Sequence, residues 1–151
     1  MIKTHFEEQS LSIMLDDTVL LSATWDSYTD RNYHCEAITE CIVEIPSIGC
    51  VLVFTDADEA QRLIETLCLS RELRADEFEI IGNLFPYVSI AQDYDSWECD
   101  CCGYITDITT FILNGNSRES FQCYQDGHFA DSESITANRL VQFCVDGAAI
   151  V

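Results

Sequence analysis

Apolar and polar residues alternate over Leu11-Ser12-Ile13-Met14-Leu15, so a strand there carries Leu11, Ile13 and Leu15 on one face. Asp16-Asp17 supplies turn residues, and a β-prone run resumes from Thr18 to Trp25. Tyr33 to Ile45 supports two readings. Ala37, Ile38, Cys41, Ile42 and Ile45 suit a helix, whereas the β-branched content favours a strand, and Pro46 ends either one. Ile48 to Phe54 is short and apolar, as expected of a buried strand.

Thr55 stands where it would cap the clearest helix of the chain. Asp56, Asp58 and Glu59 load its first turn, where the dipole favours anions, and Ala60, Leu63, Ile64 and Leu67 form one apolar face. Arg71 and Arg74 fall near the expected end of this helix. A short helix is expected between Asp76 and Phe85, ahead of Pro86, and extended chain from Tyr87 to Ala91. Tyr104 to Leu113 is rich in Thr and Ile and leads through Asn114-Gly115-Asn116 into Ser120 to Tyr124, which reads as a β-hairpin. Ser134 is placed to cap a last helix with Ala137, Leu140, Val141 and Cys144 on one face. With no linker or repeat between them, these elements predict a single acidic α+β domain over residues 1–151, mainly antiparallel sheet with two or three helices.

Composition supports a folded chain. Apolar residues make up 48% of it, too many for a disordered sequence. No apolar run approaches the ~20 residues that span a bilayer. The opening Met1 to Glu8 turns acidic at once and lacks the apolar stretch of an export signal, so the expectation is a cytoplasmic protein.

Charge narrows the class of partner. Twenty-seven acids oppose seven bases, for a formal net charge of −20. On the surface expected for this mass, that is roughly one excess negative charge per 390 Å². DNA, RNA and anionic lipid need a basic footprint and are disfavoured as direct partners. The acids are also segregated from the bases: no Lys or Arg lies between Lys3 and Arg31, between Arg31 and Arg62, or between Arg74 and Arg118. A negative field surviving at the surface attracts basic partners over about 10 Å at 0.1 M salt. Within the last gap, Asp93-Tyr94-Asp95-Ser96-Trp97-Glu98-Cys99-Asp100 combines carboxylates with aromatic anchors. As a strand it would present Asp93 and Asp95 on one face. The partner-binding expectation is therefore Asp93, Tyr94, Asp95, Trp97, Glu98 and Asp100.

Nine cysteines, an odd number without an export signal, fit reduced thiols better than a disulfide framework. Cys99 and Cys102 form a C-x-x-C pair followed by Gly103, and Cys123 and His128 stand beyond the expected hairpin. Cys99, Cys102, Cys123 and His128 would make a Cys₃His structural zinc site, although Cys101 is left unexplained and the second half lacks its own C-x-x-C. His34-Cys35-Glu36 with Cys99 and Cys102 matches part of the H-x-E and P-C-x-x-C signature of zinc deaminases, but Glu98 stands where that signature has Pro. Cys35 or Cys123 could also be paired on paper with His34 or His128 as a nucleophile and base, a pairing that nine cysteines make unspecific. Asp56-Ala57-Asp58 fails as a calcium loop because Gln61 and Leu67 occupy the positions that need Gly and a bidentate carboxylate. Phosphate-loop, dinucleotide and hydrolase-elbow motifs are absent from the sequence.

The expectation is thus a non-enzymatic acidic inhibitor that occupies the basic groove of a nucleic-acid-binding protein or nuclease. Phage or mobile-element counter-defence of the anti-CRISPR or anti-restriction kind, acting in the host cytoplasm, and nuclease-toxin immunity both use that physics. The alternative is a zinc-stabilised adaptor or regulatory module, followed by a deaminase-like zinc hydrolase.

Overall fold

A computed structural model describes residues 1–30, 35–85, 90–98, 100, 103, 105–113, 120–124 and 135–150. Its first half is an antiparallel meander, β1 (Ile2–Glu7), β2 (Ser10–Leu15), β3 (Thr18–Asp30), β4 (Cys35–Ile45) and β5 (Cys50–Phe54), hydrogen-bonded in that order. Helices α1 (Ala57–Leu67) and α2 (Ala75–Gly82) follow. A second antiparallel sheet then forms from β6 (Ile90–Glu98), β7 (Ile105–Leu113) and β8 (Ser120–Tyr124), and α3 (Ala137–Ile150) ends the described chain. This is the α+β class that the periodicities predict.

One face of the meander is buried. Leu11, Ile13, Leu21, Ala23, Cys41, Val43 and Ile45 project from it, and all lie within the hydrophobic core. Strict alternation would place every second residue there, yet two pairs break it. Leu20 and Leu21 are adjacent and both buried, and Ile38 and Cys41 are three residues apart and both buried. Register shifts explain each. Ile13 pairs with Leu21 but Met14 with Val19, leaving Leu20 as an extra residue in β3. Asp26 pairs with Glu40 but Ser27 with Ile38, leaving Thr39 as the extra residue in β4. A β-bulge of this kind re-aims neighbouring side chains and bends the strand. The bulge in β4 is braced from both sides: the Thr39 hydroxyl donates to the Asp26 carbonyl at 3.4 Å, and the Ile38 N–H donates to Gln61 Oε1 of α1 at 2.7 Å.

The helices cover that face only. Buried Ala60, Leu63, Ile64 and Leu67 set α1 against β4, and buried Ala137, Leu140, Val141, Cys144 and Val145 set α3 across β1 to β3. These are the faces that the helical spacing predicts. The cap of α1 is Asp56 rather than Thr55, because the Asp56 carboxylate accepts the Glu59 N–H at 3.0 Å. Arg71 and Arg74 lie beyond α1 and belong to α2 instead. Arg74 precedes its first turn, and Arg71 donates through both terminal nitrogens to Glu77 at 2.8 Å.

α2 packs on α1 and α3 and also meets the second sheet. Phe78 stacks on Phe111 of β7 with ring centroids 4.1 Å apart, and neither side chain is exposed. At the end of α2, Gly82 lies against Ile90, where a Cβ would collide with the Ile90 side chain.

Three segments differ from the sequence expectation. β1 was not foreseen, since its polar half resembles a loop. Within the segment read both ways, the described Cys35–Ile45 resolves toward the strand, as β4. Ile48 to Phe54 is only partly a strand: Pro46–Ile48 is a 3₁₀ turn, Gly49 takes φ 61°, and β5 begins at Cys50. It is also an edge strand and not buried, with Val51 and Val53 each 61% exposed. The Asn114-Gly115-Asn116 turn and Ser134 lie outside the described residues, while the pairing of Ile112 with Ser120 agrees with the hairpin.

Because Phe78 is fully buried and stacks on Phe111 between α2 and β7, Phe78→Ala should destabilise the fold by about 3–5 kcal/mol. Phe78→Leu should cost distinctly less. Urea denaturation monitored by circular dichroism checks both. Asp56→Ala should cost about 1 kcal/mol by the same measurement.

Candidate acidic interface

The face of the meander turned away from the helices gathers Asp26, Glu40 and Glu44 on neighbouring positions. Cross-strand register sets Glu44 opposite Val51, Ile42 opposite Val53 and Glu40 opposite Asp26. Tyr28 follows Asp26 on the same face of β3. All seven of these residues are exposed. Toward the other edge the face continues through half-buried Ser10, Ser12 and Met14 to exposed Lys3, His5 and Glu7 on β1. Lys3, the chain's one lysine, thus lies at the far edge from Glu40 and Glu44.

Asp26 and Glu40 form a like-charge pair directly opposite one another, an arrangement that opposes sheet formation. A hydrogen bond with Asp26 and the charge of Asp26 hold the Glu40 carboxyl above the ordinary range, with a smaller push from desolvation. The native state therefore binds a proton at Glu40 more readily than the unfolded chain does. By linkage, stability falls as pH rises through that titration and recovers on acidification.

The cations in ion pairs among the described residues lie elsewhere. Arg62 of α1 meets Asp76 at 2.6 Å, Arg71 meets Glu77 at 2.8 Å, and the N-terminal amine meets Asp16 at 2.6 Å. These three are the ion pairs found among the described residues. Glu77 is pushed up by burial, but the Arg71 guanidinium and the Arg74 N–H outweigh this and hold it below the ordinary range. Two clefts flank Arg62 between α1 and α2. One of about 220 Å³ is lined mainly by Phe54, Leu63, Ile80 and Leu84, and one of about 260 Å³ by Glu65, Thr66, Asp76 and Glu77. In the second, the Thr66 hydroxyl donates to the Arg62 carbonyl at 2.7 Å.

Of the segment singled out by charge and aromatics, Asp93 to Glu98 lie in β6, an edge strand of the second sheet among the described residues, and Asp100 lies beyond its end. Ile90, Gln92 and Phe111 mark the face toward α2, and Gln92 donates to Glu79 of that helix. Alternation places Asp93, Asp95 and Trp97 at positions of the opposite face, and Tyr94 and Glu98 at positions of the α2 face. Glu98 and Asp100 are exposed.

Of the expected zinc ligands, Cys99, Cys102 and His128 lie outside the described residues, and Cys123 sits in β8 opposite Thr109. Among the described residues no group of three or more His, Cys, Asp and Glu converges as a metal site. His34 also lies outside the described residues, Glu36 falls within β4, and the strand β7 follows the C-x-x-C pair. Among the other cysteines, Cys41 is buried under the sheet, where desolvation and then Glu59 push its thiol up to about 11. Cys68 is shifted upward by desolvation and Glu65.

The sequence reading missed Tyr28, Ile42, Val51 and Val53 as surface residues. The available signal was phase: in a strand through Cys41, Val43 and Ile45, the residues Ile42 and Glu44 must face the other way. No protein-family model, curated protein or solved structure matches the chain.

Two pH profiles of opposite sign follow. Glu40→Gln should raise the urea midpoint at neutral pH, and the gain should vanish below the carboxylate range, where both states are protonated. Glu77→Gln should lower the midpoint at neutral pH. That loss should shrink as pH falls through the depressed native titration of Glu77 and disappear in strong acid. Urea denaturation across pH 2.5 to 7 (approximate limits of the carboxylate titration) checks both.

Proposed function

We propose that this chain is a non-enzymatic acidic inhibitor that occupies the basic groove of a nucleic-acid-handling protein. Counter-defence against a host nuclease system and neutralisation of a nuclease toxin are the two settings that use this chemistry. The observation that carries the reading is the helix-free face of the meander, where Asp26, Glu40 and Glu44 stand without a basic side chain at a cross-strand position. Solubility alone does not call for such a face. Dispersed carboxylates serve solubility without forcing two of them into direct opposition, and Tyr28, Ile42, Val51 and Val53 expose apolar surface among the acids. Carboxylates interleaved with an aromatic and aliphatic anchors suit a protein interface whose other side is cationic. The segment with Asp93, Asp95, Glu98 and Asp100 would add further carboxylates at the edge of the second sheet.

Capture from a lysate of the source cell by the immobilised chain tests this reading. Captured protein should be released as salt rises and displaced by added double-stranded DNA or RNA, because polynucleotide and inhibitor compete for one groove. Reversal of Asp93, Asp95, Glu98 and Asp100 to Lys, or of Asp26, Glu40 and Glu44 to Lys, should weaken capture by about tenfold or more. Capture indifferent to both salt and polynucleotide overturns the proposal.

A further inference from the structure

The two edges of the meander are built differently. β1 carries Lys3, His5 and Glu7 on its outward positions, and charged side chains of this kind discourage pairing with another strand. β5 reads Cys-Val-Leu-Val-Phe, with no charge and no proline. Among the described residues nothing hydrogen-bonds to its outer side, so alternate N–H and C=O groups of residues 50–54 face away from the sheet. Val51 and Val53 stay 61% exposed above it, while Cys50, Leu52 and Phe54 are half-buried below, on the helix side. An unprotected apolar edge is a template for one more strand.

The charge around this edge selects the occupant. Glu44 lies directly across from Val51, and Glu40 lies diagonally across from Val53 beside Asp26. Asp56, Asp58 and Glu59 follow at the start of α1, so β5 is bracketed by carboxylates. A second copy of this chain would bring its own Glu40, Glu44 and Asp26 to the same seam at a net charge of −20 per copy. A basic strand meets no such penalty. On the acidic face its Lys or Arg side chains would lay their aliphatic stems over Val51 and Val53, with their charged ends reaching Glu44 and Glu40. On the helix side its alternate residues would meet Cys50, Leu52 and Phe54, which calls for aliphatic side chains.

We infer that β5 is the seat of a sixth strand contributed by the partner, an extended segment in which Lys or Arg alternates with aliphatic residues. The inference rests on the proposed basic partner and adds the mode of recognition: backbone pairing for affinity and alternate side chains for selectivity.

The probes are two labelled peptides of about eight residues, long enough to cover a strand of ordinary length. One alternates Arg and Val; the other has the same composition with its Arg and Val in separate blocks. Binding to the full chain is read by fluorescence anisotropy, and backbone protection by amide hydrogen exchange. The alternating peptide should bind at least about tenfold more tightly than the block peptide and slow exchange at residues 50–54. Val51→Lys and Val53→Lys together, at two exposed positions, should abolish that preference while leaving the urea midpoint near the parent value. Glu40→Gln with Glu44→Gln should weaken the alternating peptide and reduce its salt dependence. Equal binding of both peptides without protection at 50–54 overturns strand addition while leaving the acidic-inhibitor reading standing. Failure of both peptides to bind at low salt overturns both. Protection at 50–54 that grows with protein concentration in the absence of peptide assigns the edge to a second copy, which also overturns the inference.

Discussion

The whole arrangement depends on one asymmetry: the five-stranded meander is covered by helices on a single face. α1 and α3 bury Leu11, Ile13, Leu21, Val43 and Ile45, and that burial supplies the drive to fold. Once both helices are committed to one side, every outward position of β1 to β5 must be compatible with water. The chain fills those positions with a mixture of Ser, Thr, Asp and Glu and of exposed apolar residues such as Tyr28, Ile42, Val51 and Val53. An outward face open to water follows from the layer architecture, whereas the opposition of Asp26 and Glu40 upon it does not; the bulges at Leu20 and Thr39 are what allow a meander with imperfect alternation to keep the other face dry.

Much of this was legible beforehand. Helical spacing in Ala60-Leu63-Ile64-Leu67 and in Ala137-Leu140-Val141-Cys144 fixed two helices and their buried faces, because a 3.6-residue period leaves little ambiguity over two or more turns. The strands were harder. β4 carries Ile38 and Cys41 three residues apart, a helical spacing produced by a bulge, so periodicity alone could not separate helix from strand. Cap assignment failed by one residue at Thr55 because Thr and Asp are both good caps and only the hydrogen bond to Glu59 distinguishes them.

The interface was the least legible part. Net charge announced that carboxylates would outnumber cations everywhere, but not that Arg62 and Arg71 would be consumed by Asp76 and Glu77 of the helical layer. Nor could it show that Asp26 and Glu40, fourteen residues apart in sequence, would meet across two strands. The apolar run of β5 misled for a different reason. Five consecutive apolar residues suit a strand buried on both faces, and an edge strand left partly open has the same composition.

Cys41 lies on the reverse side of that acidic face, its sulfur beneath the sheet opposite Phe54 and its titration pushed upward. Thiolate is the nucleophile toward alkylating reagents, so burial and the raised titration of Cys41 both slow its alkylation while α1 covers it. Alkylation of buried Cys41 relative to exposed Cys68 would therefore report how tightly the helical cover holds the sheet.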